Sequence, residues 1–128
     1  MGLSILWGVW LFTGFIYHGE PMPPLNPSLQ IRYEFQASGE NTLHYFREGE
    51  QGFCERRARY EYDGGYLAQQ VIWVNPDNAS WCSRDTDMQM NNHSVTPMQL
   101  EENVLHLILP LGEEELTYVW KKVTAVKR

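Results

Sequence analysis

Three polar side chains fall in step with apolar ones along short alternating runs of this chain. Arg47 alternates with Leu43 and Tyr45, Arg56 with Cys54, Ala58 and Tyr60, and Gln69 with Leu67, Val71 and Trp73. Tyr33 alternates with Leu29, Ile31 and Phe35, and Tyr118 shares a face with Trp120. In extended backbone every second side chain points the same way, so each set lines one face. A guanidinium is a rigid fork of donors that grips a carboxylate or carbonyl through two hydrogen bonds. Set among aromatic rings, it would hold the polar end of a small apolar molecule while the rings cover the rest. Tyr33, Tyr45, Arg47, Arg56, Tyr60, Gln69, Trp73 and Tyr118 are therefore the expected ligand-binding set. The competing arrangement has the opposite parity, with the arginines on a solvated face beside Glu34, Glu48 or Glu55.

Other reactive residue types do not assemble into a catalytic unit. His18, His44, His93 and His106 are scattered, and no His-x-His or His-x-x-x-His pair is present. Each reads as a core or rim histidine. Asp85 and Asp87, close to Trp81-Cys82-Ser83-Arg84 and Met88, form a compact polar group. Paired carboxylates serve acid–base chemistry or calcium, but EF-hand spacing is missing, so the group reads as a turn or strand end. No nucleophile-and-base unit, glycine-rich phosphate loop or metal-spaced cysteine pair occurs. The expectation is a non-catalytic protein with no cofactor and no metal. Asn78-Ala79-Ser80 and Asn92-His93-Ser94 match the glycosylation sequon, which acquires meaning only in a secreted eukaryotic protein.

The elements that must position these side chains are strands. The 128 residues suit one domain, 1–128, with one core. Aromatics make up 13%, a composition that favours pleated, half-buried surfaces. A formal net charge of −6 argues against nucleic acid as a partner. The basic stretch Glu55–Arg59 is too short to reverse this. Leu3–Tyr17 is strongly apolar, yet no Lys or Arg precedes it and no small-x-small cleavage site follows. It reads as a buried strand rather than a targeting segment, and it is too short to span a bilayer.

Alternation then gives eight runs: Leu6–Tyr17, Leu29–Phe35, Thr42–Arg47, Phe53–Tyr62, Tyr66–Val74, Ala79 to about Asp85, Leu100–Leu109 and Leu116–Val123. Pro21, Pro23, Pro24 and Pro27 exclude a helix between the first two. Asp63-Gly64 between alternating runs is a strong hairpin signal. Short connections favour antiparallel neighbours. Eight strands in a meander can close on themselves, leaving an interior wide enough for side chains or one small ligand. The expected fold is an all-β, eight-stranded antiparallel up-and-down barrel.

Gly8-Val9-Trp10, on the first of these runs, resembles the Gly-x-Trp of the first strand of lipocalin-like (calycin) proteins. The resemblance extends over essentially the whole chain in length and strand count. It implies that Trp10 plugs one end of the barrel, with a basic side chain of the last strand packed across it. In Leu116-Thr117-Tyr118-Val119-Trp120-Lys121-Lys122 the candidates for that cover are Lys121 and Lys122, with Arg128 a more distant third. The two-helix lid of fatty-acid-binding proteins and the C-terminal helix of secreted lipocalins are both missing from the pattern. The leading expectation is binding of a small, mostly hydrophobic molecule, possessing a carboxylate or carbonyl, inside the barrel. The alternative is a protein-interaction module, an inhibitor or assembly factor, with Trp7, Phe12, Phe46 or Trp81 standing outside. An enzyme on the same fold comes third.

The two cysteines supply a test of strand order. With Cys54 on the fourth run and Cys82 on the sixth, two interstrand steps separate them by about 9–10 Å. A disulfide needs Cα atoms within about 7 Å. Two free thiols are expected.

Overall fold

The computed structural model describes residues 5–123, so Arg128 lies outside the described residues. The strands are β1 (Gly8–Tyr17), β2 (Glu20–Met22), β3 (Leu29–Phe35), β4 (Glu40–Arg47), β5 (Cys54–Asp63), β6 (Tyr66–Val74), β7 (His93–Leu100), β8 (Val104–Leu111) and β9 (Glu114–Lys122). They form one antiparallel sheet in the order β2-β1-β3-β4-β5-β6-β7-β8-β9, and β9 pairs back onto β1. Eight strands thus close a barrel, and β2 adds a short hairpin outside the count. β1 serves three partners along its length. Gly8–Leu11 pair with β3, Phe15–Tyr17 with β2, and Trp10–Ile16 with β9.

Period-two patterning sets the faces. In β5, Cys54, Arg56, Ala58 and Tyr60 are buried while Arg57, Arg59 and Glu61 are exposed. This fixes the parity of the fourth run with Arg56 inside. In β3 the same rule buries Tyr33 and Phe35. The core runs from Leu6, Trp10 and Phe35 at one end through Tyr33, Leu43, Leu105 and Trp120. A bulge between Phe12 and Gly14 shifts β1 against β9. Gly14 sits there with φ +153°, and a Cβ would meet the Met22 carbonyl oxygen at 2.5 Å. Only glycine lets the β2 hairpin fold back this closely.

Two parts of the strand assignment need correction. The expected strand from Ala79 to Asp85 is instead two short 3₁₀ turns, Ser80–Arg84 and Thr86–Met88. The chain takes i→i+3 hydrogen bonds in series: Cys82 N to Ala79 O, Asp85 N to Cys82 O and Met88 N to Asp85 O, each 3.0 Å. This buries Cys82 and Met88 and turns the polar residues between them outward. The remaining barrel strand is β7, His93–Leu100, most of which lies outside the eight runs that alternation gives. It pairs with β6 over His93–Pro97 and with β8 only over Met98–Leu100. Pro97, which has no N–H to donate, stands where the strand changes partners.

The turns overturn the free-thiol expectation. Cys54 and Cys82 form a disulfide, with Cα atoms 5.7 Å apart. Cys82 does not lie two strands away from β5. It sits on the 3₁₀ segment that folds back over the barrel end, where Ala79 N also donates to Phe53 O at 3.0 Å.

Candidate functional site

Trp10 closes one end. It is fully buried, and its Nε1 donates to the Leu6 carbonyl at 2.8 Å. Lys122 lies across it, with Nζ 5.4 Å from the ring centroid and donating to the Ile5 carbonyl at 2.9 Å. Lys121 takes the other parity and is exposed, opposite Leu11 and Val104. Gly8 permits the crossing. Its φ is +131°, and a Cβ there would stand 2.9 Å from Lys122 Cε.

The opposite end is open. A cavity of about 1100 Å³ runs into the barrel from it. Tyr33, Gln69 and Trp120 lie deepest, and Leu29, Ile31, Leu107, Leu109 and Pro110 form the apolar walls. Ser94, Val95 and Thr96 also line it, at the stretch where β7 lacks pairing to β8. The 3₁₀ segment lies across the rim with Trp81, Arg84, Asp85, Thr86 and Asp87, and the disulfide ties that segment to β5.

Of the expected ligand-binding residues, Tyr33, Tyr45, Arg47, Gln69 and Tyr118 line the cavity. Arg56 lies directly behind its deep end. Arg56 is 2% exposed. Its Nη1 donates to Asn41 Oδ1 at 2.6 Å, and its Nη2 donates to the Tyr33 hydroxyl at 3.1 Å and to Gln69 Oε1 at 3.3 Å. The guanidinium carbon stands 5.5 Å from the Tyr33 ring centroid. Gln69 Oε1 also accepts from the Tyr33 hydroxyl at 2.6 Å and from Asn41 Nδ2 at 2.8 Å. Among the described residues no carboxylate forms an ion pair with Arg56, and its Nε has no hydrogen-bond partner. A buried cation without a counter-ion is costly. Here neutral amide and phenol oxygens and a ring face solvate it. Trp120, 4% exposed and packed edge-on against Tyr33, has a second orphan donor, its Nε1.

Two expected residues are placed elsewhere. Trp73 is not in the lumen. The β5–β6 register shifts so that Arg57 faces Trp73 and Ala58 faces Val71, which leaves Ile72 as the extra residue. That extra residue reverses the parity, and Trp73 packs under the exposed Arg57 at 4.8 Å. Tyr60 points inward but lies toward the closed end, against Phe35, with its hydroxyl donating to the Gln36 carbonyl at 2.7 Å. Arg47 stands at the rim, 5.4 Å over the Trp81 ring and 3.9 Å from Glu50.

The rim carries opposed charges. Asp85 is fully engaged: Oδ1 accepts from Asp87 N at 2.9 Å, and Oδ2 accepts from the Tyr45 hydroxyl. Burial, then the contact with Asp85, pushes the Tyr45 phenol well above its ordinary value. The Asp87 carboxylate has no hydrogen bond or ion pair among the described residues. It is open to solvent but ringed by the protein at the cavity mouth. Desolvation and then the charge of Asp85 raise its pKa, while Arg56 pulls it down. The sequence places the Asp85–Asp87 pair at a turn or strand end, and the structure puts it on a turn at the cavity rim; Asn41 and Trp120 are absent from the sequence's set of polar groups for the deep end. Asn41 occupies an inward position next to a turn, and Trp120 had served only as an apolar face.

The outward aromatic residues do not form one patch. Phe12 packs against Tyr118 and Trp120, and Trp81 lines the cavity. Trp7, 39% exposed, stands near the closed end beside Tyr60, and Phe46, 37% exposed, stands on β4 near His44. Among the described residues no three His, Cys, Asp or Glu side chains gather as a metal site, and no helix is long and apolar enough to cross a membrane.

No family model and no curated protein sequence matches the chain. Solved structures do. A lipocalin-like protein from Bacteroides uniformis ATCC 8492 superimposes with a TM-score of 0.61 at 16% identity, covering 93% of this chain and 99% of that one. An uncharacterized protein from Bacteroides eggerthii DSM 20697 gives 0.54 at 15% identity, covering 91% and 98%. The REP1-NXSQ fatty acid transporter gives 0.50 at 12% identity, covering 96% and 99%. The fold is that of a lipocalin-like barrel.

Proposed function

We propose that this chain binds, without catalysis, one small and mostly apolar molecule in the barrel, with a carboxylate or carbonyl at the deep end. The observation that carries this is Arg56, a buried guanidinium with no carboxylate partner among the described residues, directly behind the cavity-lining Tyr33 and Gln69. A ligand oxygen at that position would meet Tyr33, Gln69 and the orphan Trp120 Nε1, with the positive field of Arg56 behind them. Leu29, Ile31, Leu107 and Leu109 then cover an acyl or similar chain. From Tyr33 to Leu29 along β3 is about 13 Å, which a medium-length chain spans. The fatty acid transporter among the structural neighbours supports an apolar acid as the ligand class.

The experiment is displacement of an environment-sensitive dye by decanoate and by decanamide, with native mass spectrometry for stoichiometry. One ligand per chain is expected. Absence of displacement and of any ligand-bound mass between pH 5 and pH 8 would overturn the reading.

A further inference from the structure

One cavity separates two charges that lack partners. Arg56 lies behind its deep end with no ion pair, and Asp87 stands at its mouth with no ion pair and no hydrogen bond among the described residues. The turn that holds Asp87 packs on β5 and β6, the strands that present Arg56 and Gln69. Asp87 lines the same cavity as Tyr33 and Gln69, two residues that Arg56 hydrogen-bonds. Its neighbour Asp85 already accepts hydrogen bonds on both oxygens, from Asp87 N and the Tyr45 hydroxyl. A carboxylate head placed between the two therefore meets a cation on one side and an anion on the other. A neutral acceptor meets no such conflict.

Resting on the ligand-binding reading above, we propose that Asp87 sets head-group selectivity by proton coupling: a carboxylate enters only as Asp87 takes up a proton from solvent, whereas an amide or carbonyl enters without one. In the bound state Asp87 is neutral, and the negative charge of the cavity passes from its carboxylate to the ligand. The net charge inside the mouth is unchanged. Desolvation and the charge of Asp85 bias Asp87 in the same direction, toward protonation. The other charged or titratable groups around this space are Arg56 on β5, Tyr33 on β3, Tyr45 and Arg47 on β4, Arg84 and Asp85 on the rim segment, His93 on β7 and Tyr118 on β9.

The sign follows from linkage. Between the pKa of Asp87 in the free protein and its higher value in the complex, decanoate binding takes up a proton and weakens as pH rises, by up to about tenfold per unit. Decanamide stays flat. Calorimetry of the intact chain in buffers of different ionisation enthalpy, from pH 5.5 to 8, reads the proton count directly. Close to one proton per decanoate at the upper end and none per decanamide is the expected result. Asp87→Asn should abolish the uptake and flatten the decanoate profile. Equal profiles for the two ligands in the unaltered protein, or persistent uptake in Asp87→Asn (which would move the titration to His93), overturn the proposal while leaving the binding site intact. Failure of both ligands to bind at every pH overturns the binding reading itself, and this inference with it.

Discussion

At the scale of single residues the unusual one is Arg56. Its burial without a counter-ion is tolerated because Asn41, Gln69 and Tyr33 supply oxygens at hydrogen-bond distance. Replacing it with methionine, of similar length and no charge, separates stability from binding. Removing a buried charge relieves about 1–4 kcal/mol of desolvation. Leaving the buried Asn41 Oδ1 without its donor costs about 1–3 kcal/mol. These offset, so Arg56→Met should melt near the temperature of the unaltered chain. Decanoate affinity should nonetheless fall at least tenfold, about 1.4 kcal/mol, in the displacement assay. A folded Arg56→Met protein with unchanged decanoate affinity would remove Arg56 from head-group recognition.

At the scale of elements the rim segment decides most. The disulfide joins residues 28 apart in sequence, so it removes loop-closure entropy from the unfolded chain. The chain-entropy relation gives about 3–4 kcal/mol for such a loop. Cys54→Ala with Cys82→Ala should lose about that much in denaturant unfolding, and amide exchange should quicken over residues 79–92 before it does in β5. Unchanged exchange there would mean that the hydrogen bonds to Phe53 and Val71 hold the segment without the covalent tie. Such a bond persists in an oxidising compartment. The same segment marks the limit of what alternation reveals. Runs on β3, β4 and β5 are legible because one face is buried and the other wet. Residues 79–81 alternate in the same way, but the alternation stops at Trp81-Cys82, and the buried members, Cys82 and Met88, stand six apart, two turns of a three-residue period. With Asp85 capping the second turn, that spacing was the available signal. β7 is not legible because Pro97 falls within it, and a proline argues against a strand unless it lies at an edge; nothing local shows that Pro97 falls where the strand changes partner. Trp73 illustrates a third limit. Its parity depends on a bulge created by pairing with β5, a tertiary fact. The plug was legible from Gly8-Val9-Trp10, whereas the choice of Lys122 over Lys121 needed the β1–β9 register.

At the scale of the whole molecule, charge and cavity are opposed. The chain has a net charge of −6, while the one buried cation among the described residues lies behind the cavity's deep end. An anionic ligand must therefore cross a repulsive field, and the Asp85–Asp87 rim, before it reaches favourable ground. Arg47 and Arg84 sit on the same rim, but Arg47 is drawn toward Glu50. On the proposed ligand-binding reading the overall field governs approach, and the buried cation governs residence. Raising salt from about 10 mM to about 150 mM shortens the screening length from about 30 Å to about 8 Å. At pH 8, where free decanoate is ionised, stopped-flow association of decanoate should accelerate severalfold across this range, and that of decanamide should not change. Dissociation rates should move little, because Arg56 is out of reach of mobile ions. Slower decanoate association at the higher salt would show that Arg47 and Arg84 steer the ligand locally, and that the rim, rather than the net charge, sets the rate of entry.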